Sequence, residues 1–319
     1  MGTVLEITLV GADPAALRAA MDPLFAEAVR LEALLSSFAA ASDLHSLNAA
    51  AGRGPTPVAP ELADLLARSV ALSELTRGAF DVTVGPLVSL WSEAGARGAL
   101  PSHDALAAAR ARVGAARLRI LGDGRVELPA GAVVNLSGVA KGYALDRMLP
   151  LWREAGAPPA LLSFGQSSVW ALGAPPGAAG WRLLARAPDG ESLGVLTLRD
   201  RALSVSASFG SSTRIGGRRL GHVLDPRSGD PLAEDSLALV VAPDATLAEA
   251  LSKAVLVLGP REGLELVDAQ PGCEALRVGA DREAVRTSGF DAAVAWQALA
   301  PVSGEARSRP RAALPIPGP

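Results

Sequence analysis

A single cysteine, Cys273, stands among 319 residues. No internal disulfide framework and no multi-cysteine zinc or iron–sulfur site is therefore available. Aromatic residues make up only 4% of the chain, too few for a base-stacking surface. Neither charge sign dominates: 30 Lys and Arg face 33 Asp and Glu. A bulk field that would draw nucleic acid or an anionic membrane is missing. No apolar run approaches the ~20 residues that cross a bilayer. Lysine is scarce too, with Lys141 and Lys253 the only two, and asparagine is limited to Asn48 and Asn135. The abundance of Ala, Gly, Pro and Arg is the mark of a GC-rich coding bias, under which arginine replaces lysine on generic surface. A lysine that survives it is weighted toward a chemical role.

What is present fits one doubly lobed domain or two modest domains, with no repeat and no credible linker inside residues 1–300. Residues 301–319 form a tail with five prolines and little apolar pattern, expected to be disordered. Val4 to Val10 alternates as a strand, with no basic leader, apolar core or lipid-bearing cysteine before it; as written, this places the chain in the cytoplasm. Ala12-Asp13-Pro14 opens a helix whose apolar face is Leu17, Met21, Leu24, Ala28, Leu31 and Leu35, and Pro23 kinks or restarts it. Ser36 to Gly54 reads as a loop and Pro60 to Thr76 as a helix. Gly78 to Trp91 is a turn into another helix. Gly122-Asp123-Gly124 joins two short strands as a hairpin. A helix spans Gly138 to Ala155, several strands fill Ala160 to Val205, and a strand covers Ser236 to Val241. Helices then cover Thr246 to Leu258 and Arg261 to Ala269. Strands and helices come in blocks, which predicts an α+β fold.

Four clusters carry chemistry, each with a plainer reading beside it. Gly78 to Leu87 offers the Asp81 carboxylate, the Thr83 hydroxyl and close backbone approach; alternatively Asp81 is a cap at a helix junction. Asn135 to Asp146 follows an apolar strand with a small-residue turn and a helix, a ready anion site at a helix N-terminus. Lys141 lies in that first turn, where the dipole disfavours a cation, so a nearby phosphate would account for it; the alternative is a solvated lysine. His222, before the turn Asp225-Pro226-Arg227-Ser228-Gly229, suits proton transfer or contact with a planar ring, or is structural. Glu249 and Lys253, at i and i+4 on a helix, read most simply as a surface ion pair.

The order and spacing of these pieces resemble the FAD:protein FMN transferase, or ApbE, family over nearly the whole chain, from Met1 to about Val278. The resemblance rests on Met1-Gly2-Thr3, Ser42-Asp43-Leu44-His45-Ser46-Leu47-Asn48 and Thr76 to Leu87. The more specific Gly138-Val139-Ala140-Lys141-Gly142-Tyr143-Ala144 and His222-Val223-Leu224-Asp225-Pro226-Arg227-Ser228-Gly229 complete it. It implies an α+β fold related to the T-fold, with a flavin cleft between two lobes. It implies cleavage of FAD with Mg²⁺ and attachment of FMN through a phosphoester to Ser or Thr of a partner flavoprotein, such as one in an electron-transport complex. Other outcomes within its reach are hydrolysis of FAD alone, or a catalytically impaired FAD- or FMN-binding carrier or scaffold. Family members are mostly exported or membrane-anchored, and a misassigned start, with a signal peptide encoded further upstream, would reconcile the chain with them.

By the same resemblance Met1, Phe38, Ala79, Phe80, Asp81, Asn135, Lys141 and His222 contact the flavin nucleotide. Lys141 is assigned to phosphate and His222 to proton transfer. The metal positions fall at the Gly138 carbonyl and at Glu249, Ser252 and Lys253. Several positions depart from the family pattern. Asn135 and Ser137 stand for an aspartate and a glycine, Gln166 for a glycine, and Val205-Ser206-Ala207 for Thr-Ser-Gly. Glu249 stands for the metal-binding aspartate and Lys253 for the metal-binding threonine. A protonated lysine has no lone pair for Mg²⁺, so Lys253 is expected to replace the metal.

Overall fold

The structure, a computed structural model, describes residues 3–187, 190–209 and 212–299; Met1 and the 301–319 tail lie outside them. The chain opens with β1 (Leu5–Leu9) and α1 (Pro14–Leu35). The Asp13 carboxylate accepts the Ala15 N–H at 2.9 Å, and Pro14 fills the first turn, where its missing N–H costs nothing. α1 passes Pro23 as one element, so the helix does not begin anew there. It buries Leu24, Ala28, Leu31 and Leu35 as the spacing predicts.

The segment read as a loop from Ser36 to Gly54 holds a helix, α2 (Asp43–Ala49). Ser42 caps it by accepting the His45 N–H at 3.0 Å, and Leu44 and Leu47 enter the core. Two apolar contacts in seven residues are too few to stand out from polar surroundings in a periodicity reading. β2 (Thr56–Pro57), α3 (Pro60–Leu75), α4 (Gly85–Arg97) and α5 (His103–Arg110) follow. β3 (Arg119–Leu121) and β4 (Arg125–Glu127) form the expected hairpin, and β2 pairs with β4. α6 (Ala140–Glu154) packs with α1 and α3 around Leu24, Leu31, Leu65, Leu145 and Met148.

The second half begins with β5 (Ala160–Phe164), β6 (Ser168–Leu172), β7 (Trp181–Arg186), β8 (Ser192–Leu198) and β9 (Arg201–Ala207). A hairpin of β10 (Ser212–Ile215) and β11 (Arg218–Gly221) precedes β12 (Leu237–Ala242) and α7 (Ala245–Asp268). β13 (Glu274–Val278), β14 (Ala284–Arg286), α8 (Phe290–Val294) and β15 (Gln297–Ala298) close the described chain. The main sheet has seven strands in the order β1-β5-β6-β9-β12-β13-β14, with every neighbouring pair antiparallel. Antiparallel strands with helices gathered in their own layer make an α+β fold.

β12 shows why this sheet sits at the centre. Its six residues are all buried, and alternate side chains point to opposite faces. Leu237, Leu239 and Val241 meet Trp181, Leu196 and Phe290 beneath the small sheet β15-β8-β7. Ala238, Val240 and Ala242 meet Ala248, Leu251 and Val255 of α7. α7 contains the two helices read from the sequence, joined at Gly259, whose φ of 82° and ψ of −175° leave the helical region. Pro260 disfavours helical backbone at the residue before it, and glycine accepts the alternative freely. No helix among the described residues is long and apolar enough to cross a membrane.

Candidate active site

The loop between α3 and α4 forms one wall of a cleft. Asp81 is buried and its carboxylate accepts from Thr83 N at 2.7 Å, Thr83 Oγ1 at 2.6 Å, Ala115 N at 2.8 Å and Ser73 Oγ at 3.3 Å. This organises the loop from within, the capping alternative extended to a second chain segment. The loop is then stitched to residues 133–135. Asn135 N donates to Val82 O at 2.7 Å and Gly85 N to Val133 O at 3.2 Å. A Cβ at Gly85 would stand 2.5 Å from the Val133 carbonyl oxygen, so only glycine permits this approach.

The opposite side of segment 133–135 is held by Asn48, whose side chain bonds both backbone groups of Val134, at 2.8 and 2.9 Å. This gives the α2 motif a positional role that its sequence alone did not disclose. Asn135 Oδ1 accepts the Ser137 N–H at 2.9 Å, closing a short turn, and α6 starts three residues later. A Cβ at Gly142 would meet the Ala245 carbonyl oxygen at 2.4 Å, so a glycine in the first turn of α6 lets the N-termini of α6 and α7 touch.

Between these walls lies a cleft of about 1000 Å³, at the upper end for ligand pockets. Ala79, Phe80, Asp81, Asn135, Gly138, Lys141, His222 and Lys253 all line it, although they come from four separate stretches of chain. Thr3, Ser137, Ser206 and Val223 add to the lining, none of them proposed as a site residue from the sequence. A smaller depression of about 230 Å³ between α4 and the β10–β11 hairpin adjoins it, and His222 borders both. Phe38 is not brought to the cleft lining: its side chain is 94% exposed on the loop before α2. Met1 falls outside the described residues.

Beneath the cleft the structure corrects the reading of Glu249 and Lys253. Glu249 is fully buried and is no surface residue. Its carboxylate accepts from Ser168 Oγ and from Gly142 N at 2.9 Å, and pairs with Lys141 Nζ at 3.1 Å. Burial pushes this carboxyl upward, but Lys253 and Lys141, with the Ser168 and Gly142 bonds, hold it below its ordinary value. Lys141 is thus neither solvated nor left alone with the helix dipole; a carboxylate 108 residues away supports it. Lys253 turns toward the cleft, its Cε 3.6 Å from where a Cβ of Gly138 would lie. Among the described residues no carboxylate oxygen lies within 4.0 Å of Lys253 Nζ. Burial lowers Lys253 to about 8, with Glu249 opposing the fall and Lys141 adding to it.

These contacts decide whether a divalent cation fits the family's metal positions. The Ser252 hydroxyl is fully buried and bonds Ser204 and Ser206 at 3.0 and 2.8 Å and the Glu249 carbonyl at 3.0 Å. Glu249 is spent on three donors, and Lys253 contributes an ammonium where a hard cation needs oxygen. The residues present do not fit a metal. Among the described residues no group of three His, Cys, Asp or Glu is placed to hold one.

The ApbE family model matches residues 1–277. A Klebsiella pneumoniae protein named FAD:protein FMN transferase is 31% identical over 280 residues, 85% of this chain and 80% of that protein. A Treponema pallidum protein of the same name is 30% identical over 310 residues, 91% of this chain and 85% of that one. The crystal structure of the ApbE protein from Thermotoga maritima superposes with a TM-score of 0.81 at 26% identity, covering 91% of this chain and 96% of that one. The flavinyl transferase ApbE from Pseudomonas stutzeri, in its apo form, gives 0.78 at 28% identity, covering 92% and 93%.

Proposed function

The chain belongs to the ApbE family, and on that premise we propose that it is an enzyme that moves FMN from FAD to a protein hydroxyl. The observation that carries this reading is the convergence of eight motif residues from four chain segments on one cleft large enough for a dinucleotide. In the reaction, the acceptor Ser or Thr oxygen forms a bond to the FMN phosphorus. The bond from that phosphorus to the oxygen of AMP breaks, AMP leaves, and the hydroxyl proton passes to a base.

Supporting chemistry is present at each point. Ala79 and Phe80 give an apolar wall for the flavin rings. Lys141 and Lys253 bring two cations to oppose phosphate charge, and Glu249 beneath them brings one carboxylate. A preorganised cation offsets the charge that gathers on the leaving phosphate. His222 borders both the main cleft and the smaller depression, a suitable position for a base that faces flavin on one side and an incoming hydroxyl on the other. The acceptor is a partner protein carrying an accessible Ser or Thr.

Incubation with FAD and a flavoprotein subunit of an electron-transport complex tests the proposal. A fluorescent acceptor band with equimolar AMP is the expected result. AMP without labelling would make the chain an FAD pyrophosphatase. Bound FAD with neither product would make it a flavin carrier or scaffold, a reading favoured by the altered metal positions.

A further inference from the structure

We infer that the Lys253 ammonium, not a divalent cation, is the principal positive group facing the pyrophosphate of the bound nucleotide. The inference rests on the flavin-nucleotide reading above and specifies how that site holds phosphate. Three observations carry it. Lys141, the lysine that the motif places nearest a phosphate, is already paired with the buried Glu249 at 3.1 Å. Lys253 lines the cleft beside Gly138 and, among the described residues, has no carboxylate oxygen within 4.0 Å. The oxygens that could recruit a metal are committed elsewhere: Glu249 to Gly142, Ser168 and Lys141, and Ser252 to its serine neighbours.

The charges add consistently. The two lysines share one carboxylate, Glu249, while Asp81, the other carboxylate lining the cleft, is taken up by Thr83, Ala115 and Ser73, and Asn135 adds no charge. An anionic diphosphate supplies the missing counter-charge for Lys253. A metal placed there would meet an ammonium of like sign at close range with no free carboxylate to bind it. Lysine meets phosphate as a compact point charge with three rotatable donors, so it needs no fixed coordination geometry.

The test titrates the full chain with FAD and with riboflavin, each in EDTA and in excess Mg²⁺. In the unmodified protein, FAD affinity should change less than about twofold between the two conditions. Lys253→Met, similar in length and uncharged, should weaken FAD about tenfold or more and leave riboflavin unchanged. Retained riboflavin binding also shows that the variant is folded. Strengthening of FAD binding by Mg²⁺ about tenfold in the unmodified protein would overturn the inference and leave the flavin reading intact. Equal losses of FAD and riboflavin in Lys253→Met would overturn it too, since the lysine would not be at the phosphate. Failure of the unmodified protein to bind any flavin would remove the reading beneath it, and the inference with it.

Discussion

Glu249 shows how much one side chain can be asked to hold. It is fully buried, yet every part of its carboxylate is used: Ser168 and Gly142 donate to it and Lys141 neutralises it. Removing one member of a buried pair leaves the other charge uncompensated, which costs about 3–5 kcal/mol. Glu249→Ala should therefore lower the unfolding free energy by that order, more than an ordinary surface substitution would, as equilibrium denaturation would read. Glu249→Asp, one methylene shorter, should fall between the two, because it cannot reach all three donors. The pH dependence has a definite sign. The carboxyl is held below its ordinary value of 4.5, so its contribution is present above that pH and lost on acidification through the lower folded value. Acid unfolding of Glu249→Gln should lack this component; an unchanged acid limb would show that the pair contributes nothing. None of this was legible from the i, i+4 spacing of Glu249 and Lys253. That spacing describes a helix surface, whereas the partner that matters comes from α6 and lies far away in sequence.

At the scale of elements, legibility follows how local the determinants are. The α1 cap at Asp13, the hairpin around Gly122–Gly124 and the break at Gly259-Pro260 are each written within a few residues, and the structure shows all three. The β10–β11 hairpin was not read from the sequence, because its Arg-rich strands lack apolar alternation and the glycine pair Gly216-Gly217 is its main signal. The joint between α6 and α7 was also invisible, since it depends on one side chain reaching across 100 residues. Asp146 on α6 accepts from Ala245 N at 2.8 Å, Thr246 N at 2.9 Å and Thr246 Oγ1 at the head of α7, and from Trp170 Nε1 at 2.8 Å. Burial raises its pKa, opposed by the Thr246 bond; the nearby Asp244 charge raises it further. Asp146→Ala would leave the Ala245, Thr246 and Trp170 N–H groups without this acceptor, while the Asp244 cap on Leu247 N remains. A loss of about 2–4 kcal/mol is expected, above the ~1 kcal/mol of a simple cap. Equilibrium urea unfolding checks it, and a loss near that of a simple cap would mean that water replaces the carboxylate.

The whole molecule places its site where its separate cores meet. Phe80 and Tyr143 belong to the helical core, while Ala79 and Leu251 belong to the layer between α7 and the sheet. A ligand in the cleft between them touches both, so its binding free energy is spent on the relative position of the two layers as well as on local contacts. The segments that should register it are residues 79–88, 135–141, 205–207 and 222–226, which are distant in sequence and meet at the cleft. Hydrogen exchange of the full chain with and without FAD separates this arrangement from its rivals. Protection should rise in all four segments together and in the first turn of α6. The outer strands β7, β8 and β15, which pack on the far face of the sheet, should change little. At FAD one hundred times its dissociation constant, global stability should also rise by about 2.7 kcal/mol, visible as a higher thermal midpoint. Protection limited to one segment would place the ligand on the surface of a single layer. Protection centred on β7 and β8 would put the nucleotide on the wrong side of the sheet. Either result would break the link between the cleft and flavin binding, because the cleft is where those four segments meet.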